Sequence, residues 1–168
     1  MKIAAAVFLT IVLGASAAEA AAAAPPSNWA VTKTYGPKGP LTCMLRFPSR
    51  NGEPGLTLTR DEAAKDRATF ALFGLPPYLA GKRGVIRGIE VSIGNWSQTG
   101  LKGIWIRGSG DSNSRLTFTL NLPVASIAPH LERGQSLRVS FELADGRHTF
   151  PFTLQGSAAP LAETAACT

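Results

Sequence analysis

The body of this chain predicts an all-β fold, an antiparallel β-sandwich or flattened barrel of about nine strands with one or two short helices. Its apolar residues alternate with polar ones over short runs, the period of a strand with one buried face. Glycine, proline, asparagine and aspartate punctuate those runs where turns need them. One segment reads as a complete hairpin. Leu137, Val139, Phe141 and Leu143 point one way, Ala144-Asp145-Gly146-Arg147 turns the chain with Asp-Gly as a type I′ pair, and Phe150, Phe152 and Leu154 return.

The same pattern places the other elements in chain order. The predicted strands are Trp29–Tyr35, Leu41–Phe47, Leu56–Arg60, Ala68–Phe73, Val85–Ile93, Gly103–Arg107 and Arg115–Leu120, ahead of Ser136–Leu143 and Thr149–Leu154. In the fifth of these, Val85, Ile89, Val91 and Ile93 are expected on one face. Asn51-Gly52 is a hairpin signal, and Asp61–Arg67 is expected as one exposed charged turn. Pro151 cannot donate to a ladder, so the last strand is an edge or has its open side there. Pro123–Arg133 carries Val124, Ile127, Ala128 and Leu131 at helical spacing, starts at a proline and stops at Gly134. Pro129 should limit that helix to a turn or two, plugging one end of the sheets. Ser157–Ala166 is expected as a short tail helix capped by Ser157.

The first residues give an address. Lys2, the apolar run Ile3–Leu13 and the small residues Gly14–Ala21 follow the order of a secretory signal peptide. The run is too short for a bilayer span, which takes about 20 apolar residues. Cleavage is expected after Ala17 or Ala20. Residues 1–20 then form the signal, 21–28 a flexible leader and 29–168 one β-sandwich domain, periplasmic or secreted. In an oxidising compartment the two cysteines, Cys43 and Cys167, read as a disulfide pinning the tail, with a chain-entropy contribution of at most about 4–5 kcal/mol. The formal charge of +6 reads either as general solubility or as a means of drawing an exported protein towards anionic glycans or lipid headgroups. Partner candidates are therefore an envelope protein or such an anionic glycan or lipid. No recognition motif points to nucleic acid.

Catalytic chemistry is hard to assemble. Gly108-Ser109-Gly110-Asp111-Ser112 lacks the G-x-S-x-G order and the following helix of a nucleophile elbow, and reads as a turn. His148 beside Asp145 is half of a triad in a hydrolase reading, and a rim histidine otherwise. His130 reads in the same way. The only acidic cluster, Asp61, Glu62 and Asp66, is neutralised by Arg60, Lys65 and Arg67. Two cysteines and two distant histidines show no metal spacing, and no motif calls for a cofactor. Aromatic exposure is the better lead. Trp96 and Trp105 flank a glycine-rich stretch, and either Trp105 or the pair Ile104 and Ile106 points outward, unless both faces are covered as in a sandwich centre or under a loop. Trp96, Lys102, Trp105 and Arg107 form the candidate binding surface, where a tryptophan near cations can stack on a sugar or a partner.

Several of these features together resemble the invasion-associated locus B family of small exported proteins. They are the signal peptide, Trp29-Ala30-Val31, Thr42-Cys43, the β-rich middle, the helix before Gly134, and Phe152-Thr153-Leu154-Gln155-Gly156-Ser157 followed by Leu161 and Cys167. The resemblance implies a β-sandwich-like, periplasmic, non-enzymatic protein connected with host-cell entry, and it carries over no site residue. The sequence thus favours a non-catalytic binding or accessory protein of the envelope. A secreted hydrolase using His148 and Asp145 and a structural envelope-integrity factor are the alternatives. The form of the largest pocket discriminates among them: deep and polar for an enzyme, flat and aromatic for binding, and no pocket for the structural role.

Overall fold

The computed structural model describes residues 28–36, 39–49, 53–61, 67–80, 84–106 and 115–165. The predicted signal peptide and nearly all of the predicted leader lie outside the described residues. So do Asn51-Gly52, Glu62 and Asp66, Arg107, the Gly108–Ser112 segment and Cys167.

The described residues form nine strands: β1 (Ala30–Gly36), β2 (Gly39–Phe47), β3 (Gly55–Asp61), β4 (Arg67–Phe73), β5 (Gly84–Ile93), β6 (Trp96–Ile106), β7 (Arg115–Pro123), β8 (Ser136–Leu143) and β9 (Gly146–Thr153). Three helices accompany them: α1 (Pro77–Ala80), α2 (Val124–Arg133) and α3 (Ala158–Ala165). The all-β prediction holds. The strands make one sheet in the order β1-β2-β3-β4-β7-β6-β5-β8-β9, antiparallel at each junction, rather than two stacked sheets. The runs β4-β7-β6-β5 and β7-β6-β5-β8 are overlapping Greek keys.

The core lies inside the curl of that sheet. Rows of buried cross-strand neighbours cross it, such as Leu45–Leu58–Phe70–Phe118 and Leu56–Leu72–Leu116–Trp105. Phe47 of β2 meets Phe152 of β9 edge-on at 5.7 Å between ring centroids, although six strands separate these two in the sheet order. Trp29 packs on Phe47 at 5.1 Å, and its Nε1–H donates to the Thr153 carbonyl at 2.9 Å. Contacts between opposite margins require a half-barrel. Of the two predicted arrangements, the flattened barrel is the nearer. β9 is an edge strand, as Pro151 predicted. Pro151 and the Trp29–Thr153 bond both obstruct pairing along that edge.

Local departures from the predicted pattern have identifiable causes. Val85 is 65% exposed rather than inward. An extra residue at Arg87-Gly88 shifts the register between Ile86 and Ile89, so the alternation changes face there. Gly88 absorbs the bulge at φ +72°. β6 begins at Trp96, seven residues before the predicted Gly103, because a second bulge at Thr99-Gly100 breaks its period. In the β8–β9 hairpin Leu143 pairs with Gly146, so Ala144 and Asp145 are the central turn residues and Gly146 follows at φ +122°. The helix α2 runs through Pro129 to Arg133, longer than expected, with Val124, Ile127 and Leu131 buried. Gly134 stops it without a left-handed turn, at φ −73°. Glycine is needed there for space: a Cβ would lie 2.8 Å from the His130 carbonyl oxygen and 2.9 Å from Ile93 Cγ2. The helix α1 escaped prediction, although Pro76-Pro77 before Tyr78-Leu79 is a helix-start signal, and it buries Leu79.

Candidate functional site

Ile93 and Trp96 close the β5–β6 hairpin around Gly94, at φ +55°, and Asn95. The bulge at Thr99-Gly100 puts Trp96 on the same side of the sheet as the buried Leu101 and Trp105. At the end of its strand, Trp96 is only half-buried. The helix α2 brings His130 over it, with ring centroids 5.6 Å apart and planes 25° from parallel. Arg133 follows in the last turn of α2, and Arg138 projects from β8, where it pairs with Ser92 and Pro151.

These groups border a half-open cleft of about 690 Å³, with Asn95, Gln135 and Ser136 adding amide and hydroxyl groups. Among the described residues the lining contains two arginines and a histidine but no carboxylate. Arg133 and Arg138 are exposed, and among the described residues neither has an ion-pair partner. His130 and Arg133 suit the negative end of the α2 dipole. Arg138 stands on another element and has no such role, so the cleft as a whole attracts anions.

The structure separates the three described members of the predicted surface of Trp96, Lys102, Trp105 and Arg107. Trp105 is 4% exposed and packs edge-on against Phe141 at 6.0 Å, so it belongs to the core and the surface assignment is corrected. Its partners Ile104 and Ile106 face outward instead, because Gly103 and Trp105 line the concave side. Lys102 is exposed on the outer face with Ile104, away from Trp96. Arg107 lies outside the described residues. Of the three described, only Trp96 lines the cleft.

His148 and Asp145 do meet, with 3.1 Å between Nε2 and Oδ1. The imidazole lies between Tyr78 and Phe141, each 5.8 Å away by ring centroid. Among the described residues no hydroxyl hydrogen-bonds that ring, and no group of histidine, cysteine and acidic side chains is placed to hold a metal. Cys43 is buried on β2 opposite Lys33, and Lys33 Nζ reaches Glu163 Oε1 of α3 at 2.9 Å.

Reading the sequence did not find His130, Arg133 and Arg138 as a group. The helical pattern of α2 points Val124, Ile127 and Leu131 inward, which leaves His130 and Arg133 outside. Nothing local links them to Trp96 or to Arg138. Among the described residues no helix is long and apolar enough to cross a membrane. Comparison with protein-family models, curated proteins and solved structures finds no match.

Proposed function

We propose that this chain is an exported, non-catalytic binding or accessory protein of the cell envelope, and that the Trp96–His130 cleft takes an anionic envelope component. The observation that carries this reading is the cleft itself: a stacked aromatic pair beside two arginines that have no ion-pair partner among the described residues, with no carboxylate among the described lining residues. Arginine in that position offers paired donors to carboxylate or phosphate. The half-open form and the aromatic wall favour binding over enclosed chemistry. The signal-like residues 1–20 and the overall charge of +6 support the exported, anion-seeking context.

The same reading includes a Cys43–Cys167 disulfide. Its support is that α3 packs on β1 and β2 and that Glu163, four residues before Cys167, reaches the strand partner of Cys43. Host interaction, as in the family that the sequence resembles, is the broader role in which such a binder would serve.

The test is retention of the mature protein on hyaluronan-coupled resin and on phosphatidylglycerol vesicles at low salt. The wild type should be held by at least one, and Arg133→Gln with Arg138→Gln should release it. A wild type held by neither, or a double variant held as firmly, overturns the reading.

A further inference from the structure

A second cleft, of about 540 Å³, adjoins the first and shares Gly134 and Gln135 with it. Each has the size of a small-ligand site, about 300–1,000 Å³. The two differ in charge. The first holds Arg133, Arg138 and His130, whereas among the described residues the only charged side chain lining the second is Glu132. Its other groups are neutral donors and acceptors, among them Thr153, Gln155 and Ser157. Gly134, which has no room for a side chain against Ile93 and Leu154, lines both clefts.

We infer that the two clefts act as one groove for a linear glycan, with an acidic sugar unit at Arg133 and Arg138 and an uncharged unit across Gln135 beside Glu132. This rests on the anion-binding reading of the first cleft. A carboxylate meets the arginines, the carbon face of the ring meets the aromatic pair, and the hydroxyls of the next unit meet the amides. Glu132 repels a second acid. A peptide fits less well. The groove is built from strand ends, turns and the ends of α2 and α3, so it offers no open sheet edge for strand addition, and the β9 edge is obstructed by Pro151 and the Trp29–Thr153 bond.

Calorimetric titration of the full mature chain distinguishes the possibilities. Hyaluronan oligosaccharides alternate acidic and neutral units. Their affinity should rise by about tenfold from disaccharide to tetrasaccharide as the second cleft fills. Ala158→Trp, which puts bulk into the second cleft at an exposed position, should remove the gain and spare the disaccharide. Gln155→Ala, a milder change, should reduce it. Tetragalacturonate, acidic at each unit, should bind more weakly than the hyaluronan tetrasaccharide. Equal affinity at both lengths, or a preference for tetragalacturonate, overturns the inference while the anion-binding reading stands. So does binding of phosphatidylglycerol vesicles or polyglutamate without hyaluronan. Failure to bind any of these anions overturns both.

Discussion

Trp96 and Trp105 sit on one strand, and position alone gives them different roles. Trp105 lies mid-strand in the core and Trp96 lies at a strand end under α2. The indole Nε1–H of Trp105 is buried with no hydrogen-bond acceptor. An unmet buried donor costs about 1–3 kcal/mol, which offsets part of what the ring contributes by packing. Trp105→Ala should therefore lower unfolding stability in urea by about 3–5 kcal/mol. Trp105→Phe, which removes the unmet donor and keeps an aromatic ring, should cost about 1 kcal/mol or less. A phenylalanine variant as damaged as the alanine one would contradict this account. At this scale the sequence was partly legible. It showed that Trp105 and the Ile104/Ile106 pair lie on opposite faces, but strand alternation does not say which face is the core.

Elements carry the next level of information. The β5–β6 ladder contains a bulge on each strand, and each reverses which residues face inward. Gly88 sits at φ +72° with open space where a Cβ would go, so Gly88→Ala should destabilise by conformation alone, by about 1–2 kcal/mol. Gly103 has no such backbone constraint, but a Cβ there would lie 2.6 Å from Ile89 Cδ1. Gly103→Ala should cost about 1–3 kcal/mol through crowding. The additional variant Ile89→Val should recover part of the loss from Gly103→Ala and none from Gly88→Ala, as read by thermal unfolding. The docking of α3 has a pH signature. The hydrogen bond and charge of Glu163 raise the Lys33 pKa above 10.5. A raised lysine pKa gives stability that is fully present below the unfolded value and fades as pH climbs through the folded one. The advantage of the wild type over Glu163→Gln should hold steady at neutral pH and shrink above about pH 10.5. A constant gap to the highest pH at which the fold survives would show that the pair contributes nothing through charge. The predicted strands correspond to observed ones almost one for one, because alternation and turn residues are local signals. The shifted start of β6 and the outward Val85 were hidden, since one extra residue in a ladder leaves no mark except a permissive glycine.

For the whole molecule, the margins of the sheet have to be held together. Trp29 does this at β9, and α3 covers β1 and β2. The proposed Cys43–Cys167 bond would fasten α3 from its far end. Intact mass without reductant should be two hydrogens below that of the reduced protein. Reduction should lower stability by up to about 4–5 kcal/mol, the chain-entropy figure for a long loop. Unchanged mass and unfolding midpoint on reduction would remove the bond from the account.

The amino-acid sequence by itself determined the all-β class, the approximate strand set and most inward-facing residues, because side-chain alternation is a property of a few consecutive residues. It also held the residues of the cleft without showing that they belong together. Only the tertiary structure decided that the strands form one curled sheet in the order β1-β2-β3-β4-β7-β6-β5-β8-β9. That order places the β5–β6 turn beside the end of α2 and the start of β8, which brings Trp96 to His130, Arg133 and Arg138. The physical reason is that strand order and bulge register depend on pairings between distant segments. Those pairings are chosen by the fit of the whole core, and no short stretch of sequence encodes them.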